Sequence, residues 1–205
     1  GGLLQHDTSL RAYRLSPVIL ALAHAMRLGS PLLQIAQPMI VAAAEKHKAN
    51  VGLSAPDRDT MIYLEAVRTN RKASLRNVLP GQRVPIELTS MGRAYLAALK
   101  PEPRAHIIAS LRAVRRANWA RLEAEIEAAV LSVERRGYCA AAWQPGVAAV
   151  SAPLMTPDGG LYALNFSIAT EQSLQHAVRQ LRGPLLDLRR NILEALWERT
   201  DAGLS

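Results

Sequence analysis

The sequence contains very little cysteine and few aromatic residues. Its 205 residues include one cysteine, Cys139, and aromatic side chains make up only 4% of the chain. One cysteine cannot form an internal disulfide or a cysteine-rich zinc site, so a disulfide-stapled secreted scaffold is excluded. The shortage of aromatic rings also argues against a stacking platform for single-stranded nucleic acid. We therefore expect a protein of the reducing cytoplasm.

Long apolar runs are missing as well. The longest one near the start covers residues 18–23 and is followed by His24. Because spanning a bilayer takes about 20 apolar residues, we predict no transmembrane helix and no membrane partner. No signal-peptide cleavage pattern is visible. The chain begins with Gly1 instead of Met, which leads us to expect a fragment of a longer protein.

The residue patterns of common catalytic and metal sites are also missing. The five histidines are not spaced four residues apart, and no glycine-rich phosphate loop or Gly-x-Ser-x-Gly motif occurs. Cys139 has apolar neighbours, which suit a small buried side chain better than a nucleophile. We predict no catalytic residue, no metal ligand and no cofactor, and hence a protein that is not an enzyme.

The composition that remains is globular and basic. Hydrophobic residues make up 49% of the chain, which is enough for one domain with a sizeable core, with or without a short arm. Lysine and arginine (25) exceed aspartate and glutamate (17), giving a net charge of +8. Residues 112–136 interleave arginine with glutamate, a pattern typical of a solvated helix face. Direct nucleic-acid binding is therefore not predicted, although the positive charge would reduce repulsion within a DNA-bound assembly.

The order of secondary-structure signals predicts an α+β fold. Ser16-Pro17 and Ser30-Pro31 each provide a helix N-cap followed by proline, and Gly29 separates the two helices. The remaining predicted elements are a hairpin over 50–67, a weaker strand over Ser74–Val78, helices over 91–99, 102–113 and 119–133, a hairpin over 147–168 in which Pro153 ends the first strand, and a last helix from about Pro184 to Glu198. Since strands do not alternate singly with helices, we expect an antiparallel sheet with helices on its faces.

Residues 80–99 form the most informative segment. A Pro-Gly turn and an extended stretch lead into Thr89-Ser90, either of which can cap the short helix that follows. The first N–H groups of a helix lack intrahelical partners and carry positive partial charge, so an anion can bind there. Plain capping without a ligand explains the same local sequence equally well.

From this segment outward, the sequence resembles the IclR family of bacterial transcription regulators over about residues 11–200. The residues that carry the resemblance are Tyr13-Arg14-Leu15, a helix containing Pro38, the hairpin over 50–67, Val84-Pro85, the run Thr89–Ala97, Arg136-Gly137-Tyr138, Pro145-Gly146-Val147 and Ser151-Ala152-Pro153-Leu154. The resemblance implies a GAF-like curved antiparallel sheet with helices packed around it, preceded by a linker helix. Residues 1–29 would be the end of a DNA-binding wing and the linker helix, and residues 30–205 the effector-binding domain.

The resemblance also implies a function and a site. The chain would sense a small organic acid, form homodimers or homotetramers, and control DNA binding by a winged helix-turn-helix upstream of it. The effector-binding residues carried over are Val84, Ser90, Met91, Gly92, Val147, Ala149, Asn165 and Ser167. The backbone N–H groups of Ser90 and Met91 would face the carboxylate. Asn165 and Ser167, alternate residues of one strand, would point to the same face and donate hydrogen bonds.

The loop expected at residues 139–144 departs from the family pattern. Family members often carry acidic residues there, whereas this chain has Cys-Ala-Ala-Ala-Trp-Gln, so we expect a more apolar pocket to which Trp143 supplies a ring. Two other functions stay open. A GAF-like sensor module of another signalling protein would have a kinase or cyclase upstream, and a small enzyme would turn over candidate acids.

Overall fold

The computed structural model describes residues 2–69, 79–115 and 117–202. Its elements are β1 (Leu4–Asp7), β2 (Ala12–Leu15), α1 (Val18–Leu28), α2 (Pro31–His47), β3 (Asn50–Asp57), β4 (Thr60–Val67), β5 (Arg83–Pro85), α3 (Ser90–Ala98), α4 (Pro101–Val114), α5 (Trp119–Arg136), β6 (Cys139–Gln144), β7 (Val147–Met155), β8 (Leu161–Ala169) and α6 (Leu174–Ala202). The predicted α+β class is confirmed. The predicted strand Ser74–Val78 lies outside the described residues.

Six strands form one curled antiparallel sheet in the order β5-β4-β3-β8-β7-β6. The two predicted hairpins are present as β3–β4 and β7–β8, and β3 pairs with β8 to join them at the centre of the sheet. The β3–β4 ladder shifts register between Leu53 and Ser54, which increases the local twist of the sheet. β1 and β2 form a separate two-stranded hairpin.

One face of the sheet is covered by α2 and α6. The side chains of Ile40, Leu53, Phe166, Leu185 and Ile192 are fully buried there. Burying each of these side chains contributes roughly 1.5–3 kcal/mol. The N-terminus of α2 is as predicted, because the Ser30 side chain accepts a hydrogen bond from the backbone N–H of Leu33 and Pro31 follows it.

The other face is covered by α3 and α5. Met61, Ile86, Leu96 and Ile126 are buried there with exposures of 1% or less. The short helix α3 therefore lies directly on the sheet, with α5 packed outside it. This arrangement places the start of α3 over β7 and β8.

The N-terminal elements are poorly covered in the single chain. α1 contains no buried residue, and Leu20, Leu22, Met26 and Leu28 on it are each more than half exposed. No single helix in the described ranges is long and apolar enough to cross a bilayer; α1 and α2 pass that test only as a pair, and the chain bends by 89° between them.

Three sequence predictions about element bounds are wrong. Residues 139–144 form strand β6 instead of a loop, because pairing with β7 holds the alanine run extended. Pro153 does not end its strand. The pairing between β6 and β7 stops at Ser151, so the missing N–H of Pro153 costs no hydrogen bond to β6. The Pro153 carbonyl accepts a hydrogen bond from Arg189 Nε (2.7 Å) instead. The last helix starts at Leu174 and passes through Pro184, since Leu181 and Leu185 on either side are fully buried.

Candidate binding site

The start of α3 offers donor groups next to the sheet. Thr89 caps the helix: its hydroxyl accepts a hydrogen bond from Gly92 N (3.2 Å) and donates one to the Pro85 carbonyl (2.7 Å). The N–H groups of Ser90 and Met91, at the first two positions, have no acceptor within the helix and carry its positive partial charge. The Ser90 side chain reaches β7, where its hydroxyl lies 2.7 Å from that of Ser151.

A row of buried polar side chains lies on the sheet face beneath α3. Between β7 and β8, Ser151 pairs with Asn165 and Ala149 pairs with Ser167. Ser54 lies on β3, the strand on the other side of β8. The four polar residues of this row are at most 4% exposed: Ser54, Ser151, Asn165 and Ser167. In the described part of the chain, Asn165 Oδ1 and Ser167 Oγ have no hydrogen-bond partner. An unpaired buried polar group costs about 1–3 kcal/mol, which a complementary polar ligand would recover.

The missing side chain at Gly52 leaves room for Asn165 and Tyr63. A Cβ at Gly52 would lie 2.5 Å from Cε1 of Tyr63 and 2.8 Å from Oδ1 of Asn165, which is closer than real Cβ contacts. The Tyr63 ring and the Asn165 amide therefore lie directly above the bare Gly52 backbone. Burial raises the pKa of the Tyr63 hydroxyl above its ordinary value, so this group stays protonated.

The predicted site residues are all buried, in a polar group and an apolar group that meet where Met91 contacts Ser54. Ser90, Ala149, Asn165 and Ser167 lie around the polar row described above. Met91, Val84 and Val147 belong to the apolar core under α3. Val84 is on β5, with β4 and β3 between it and β8.

Gly92 has a packing function that the geometry makes explicit. A Cβ there would lie 2.2 Å from the Ile86 carbonyl oxygen and 2.3 Å from Ile86 Cα. The backbone of α3 thus touches the backbone just before it, and only glycine permits that approach. This contact sets the height of the helix start above the sheet.

An ion-pair network holds α3 against α5. The buried Arg93 donates to the Glu87 carbonyl (2.8 Å) and pairs with Glu125, which also pairs with Arg121. Arg115 pairs with the buried Glu87. Burial alone would raise the pKa of Glu125, but hydrogen bonds from Arg121 and Arg93 outweigh it and hold that pKa below its ordinary value. The alternating charges of residues 112–136 suggested only a solvated face, so no sequence pattern indicated this network.

Ser151 and Ser54 are the other site residues that sequence reasoning missed. Ser151 is two residues from the predicted Ala149, so the period of a strand places both on one face. Ser54 is two residues from Gly52, and its hydroxyl lies 3.3 Å from Met91 Sδ. Among the described residues, no group of three or more His, Cys, Asp or Glu side chains is arranged to hold a metal ion.

Cys139 is a buried thiol that donates to the Ser90 carbonyl (3.3 Å). Its burial raises the pKa of the thiol to about 12, against a smaller opposing effect of Arg93. The folded state therefore holds the thiol protonated where the unfolded chain ionises, above about pH 8.5. The contribution of the protonated Cys139 thiol to the free energy of unfolding is therefore fully present below that pH and is lost as the pH rises.

We expect Cys139→Ala to flatten the alkaline part of the stability profile. The wild-type free energy of unfolding should fall about 1.4 kcal/mol per pH unit faster than that of the variant between about pH 9 and about pH 11. Urea unfolding at a series of pH values measures both slopes. The test compares slopes because the lost packing of the variant lowers its free energy of unfolding at every pH. Equal slopes would contradict the prediction, since they would show that the thiol ionises in the folded state as it does in the unfolded chain.

Comparison with known proteins identifies relatives of the chain. The family described as "Bacterial transcriptional regulator IclR C-terminal" matches residues 25–193. The chain is similar to the Pca regulon regulatory protein of Pseudomonas putida, with 26% identity over 182 residues, 86% of this chain and 62% of that protein. It is also similar to the HTH-type transcriptional regulator TsaQ1/TsaQ2 of Comamonas testosteroni, with 28% identity over 67% of this chain and 50% of that protein. The chain thus spans less than two thirds of both curated relatives.

Solved structures share the fold. An IclR family transcriptional regulator from Brucella abortus superposes with a TM-score of 0.83 and 28% identity, covering 95% of this chain and 74% of the other. An IclR homologue from Microbacterium hydrocarbonoxydans, complexed with 4-hydroxybenzoate, superposes with a TM-score of 0.72 and 17% identity over 96% of this chain and 80% of the other. At that identity the second likeness concerns the fold alone.

Proposed function

The chain belongs to the IclR family of bacterial transcriptional regulators, and from this premise we propose that it is the part of a cytoplasmic regulator that binds a small organic carboxylate. The observation that carries the proposal is the buried polar row beneath the start of α3, in which Asn165 Oδ1 and Ser167 Oγ have no partner among the described residues. Unpaired polar groups beside free helix N–H groups suit an anion that also makes hydrogen bonds. The proposed activity is binding, not catalysis.

In the proposed complex the carboxylate accepts hydrogen bonds from the N–H groups of Ser90 and Met91. The ligand's other polar group bonds to Asn165 and Ser167. Because Asn165 Oδ1 is an acceptor, it favours a ligand that carries a hydroxyl in addition to the carboxylate. Ala149 lies beside Ser167 and gives this part of the site an apolar wall, while Val84, Val147 and Gly92 shape the core and the helix that hold it.

In this proposal, α1 couples effector binding to the upstream DNA-binding domain. Arg27, at the end of α1, pairs with the buried Glu65 of β4 and donates to the Leu64 carbonyl (3.3 Å). We propose residues 1–29 as the wing end and linker helix, and 30–205 as the binding domain. An effector can shift the arrangement of DNA-reading winged helices upstream only if it binds two arrangements with different affinity.

The apolar, exposed α1 supports a homodimer or homotetramer. A helix that is apolar on most of its surface is stable in water only when another surface covers it. A second copy of the chain can supply that surface, and the pair of linker helices would then connect the binding domains to operator DNA. Family membership favours this interpretation over a sensor module of an unrelated signalling protein.

Thermal unfolding against a panel of aliphatic, keto and aromatic carboxylates tests the proposal. 4-Hydroxybenzoate is included because it combines a carboxylate with a hydroxyl. A ligand that binds only the folded state raises the melting temperature by mass action, by an amount that grows with its concentration. We expect a selective rise for one class of acids. A melting temperature unchanged by every acid would contradict the proposal and leave oligomerisation as the domain's role.

We expect Ser167→Ala and Ser151→Ala to have opposite effects on the unliganded protein. The Ser167 hydroxyl has no partner among the described residues, so its removal should leave stability unchanged or raise it by up to about 1 kcal/mol, while affinity for the stabilising acid falls about tenfold. The Ser151 hydroxyl bonds to Ser90, so its removal should cost about 1 kcal/mol. Urea unfolding and calorimetric titration measure both. Unchanged affinity in Ser167→Ala would remove Ser167 from the site.

A further inference from the structure

A groove of about 760 Å³ runs along β6, at one edge of the sheet. α5 forms one wall and the first turns of α6 form the other. None of the eight effector-binding residues carried over from the family lines this groove, whereas Trp143, whose ring the sequence placed in the effector pocket, lies in the groove instead. Its volume lies within the roughly 300–1,000 Å³ that is usual for small-molecule sites.

Small side chains create the space in the groove. Its walls carry Ala128 and Ala129 from α5 and the alanines of residues 140–142 from β6. Tyr138 and Trp143 lie towards the two ends of this strand, about 16 Å apart along an extended chain. The groove is therefore elongated, with small apolar side chains along β6 and one aromatic ring towards each end of the strand.

The charges along the groove are unbalanced. Arg93, Arg115, Arg121 and Arg136 line it together with Glu87 and Glu125, which leaves an excess of positive charge. Arg115 pairs with Glu87, and Arg93 and Arg121 share Glu125. Arg136 donates to Ser132 Oγ (2.9 Å) and its guanidinium lies 5.5 Å from the Tyr138 ring centre. Within the described ranges no carboxylate forms an ion pair with Arg136.

We propose that this groove is a second ligand site, separate from the effector site, for an elongated organic anion with an apolar body. The anionic group pairs with Arg136, and the apolar body lies along the alanines towards Trp143. β6 separates the two sites, because Cys139 lines the groove while its thiol donates to the Ser90 carbonyl. A ligand in the groove therefore contacts the strand that supports the start of α3.

Titration with 8-anilinonaphthalene-1-sulfonate, an aromatic anion that fluoresces in apolar surroundings, tests the site. Ala128 and Ala124 are both exposed alanines of α5, but only Ala128 lines the groove. Ala128→Phe should weaken binding of the probe at least about tenfold by filling the groove, whereas Ala124→Phe should leave it unchanged. Equal affinities in the two variants would overturn the proposal, since probe bound to the exposed α1 would respond to neither.

A second pair of variants tests the charge. Arg136→Gln should weaken binding about tenfold, and Arg135→Gln, which removes the same charge from the neighbouring position outside the groove, should have little effect. Ser167→Ala should leave the affinity for the probe unchanged, because Ser167 belongs to the other site. If Ser167→Ala weakens binding of the probe as much as Ala128→Phe does, the probe occupies the effector site and the proposal of a second site is wrong.

Discussion

Gly92→Ala is expected to destabilise the domain by about 3 kcal/mol or more. The new Cβ would lie 2.2 Å from the Ile86 carbonyl oxygen and 2.3 Å from Ile86 Cα. Both are backbone atoms in a fully buried segment, so the clash cannot be relieved by rotating a side chain. Either α3 rises from the sheet or the strand connection before it moves. Urea unfolding of the variant and the wild type measures the loss.

Gly183→Ala is the matched control for this substitution. Gly183 is also a helical glycine, in α6, and apart from its two chain neighbours and the backbone of its own helix no atom lies within 4 Å of the point that a Cβ would occupy. Alanine there reduces the entropy of the unfolded chain, but its Cβ precedes Pro184, which disfavours the helical conformation. The two effects oppose each other, so the free energy of unfolding should change by no more than about 1 kcal/mol. If the two substitutions change the free energy of unfolding equally, close backbone packing is not the reason for glycine at position 92.

Leu22→Glu combined with Met26→Glu is expected to weaken self-association at least about 100-fold. The two residues lie one turn apart on α1 and are 54% and 51% exposed in the single chain. Covering them with a second copy would bury both side chains, and carboxylates in their place would be buried without partners. Sedimentation equilibrium measures the association constants. The wild type should sediment as a dimer or tetramer.

The control for this double substitution places the same charges on other exposed apolar positions. Val114→Glu with Leu131→Glu changes residues of α4 and α5 that are 73% and 50% exposed. We expect this variant to associate like the wild type. A wild type that sediments as a monomer, or equal weakening by both double variants, would contradict an interface on α1.

Local signals in the sequence were sufficient for the start of α2 and for the hairpins. Ser30-Pro31 predicted the start of α2, because capping and the fixed φ of proline depend only on neighbouring residues. The β3–β4 hairpin followed from two apolar runs around a short polar turn. The order of the elements predicted an antiparallel sheet, and the resemblance to one family added its curvature, which no local pattern contains.

Elements that depend on tertiary pairing were not predictable in the same way. The alanines of β6 have low strand propensity, and only the ladder with β7 makes them a strand. Pro184 has the local character of a helix start, yet burial of Leu181 and Leu185 carries α6 through it. The contact between Ser90 and Ser151 joins residues from separate parts of the chain, so the polar row became visible only in the folded structure.

The most direct test of the proposed effector site is a crystal structure of the chain with the carboxylate that raises its melting temperature most. We predict that the carboxylate lies within hydrogen-bond distance of the backbone N–H groups of Ser90 and Met91, with a second polar group on Asn165 or Ser167. A carboxylate bound elsewhere, with Ser90, Asn165 and Ser167 making no contact to it, would contradict the proposed effector site.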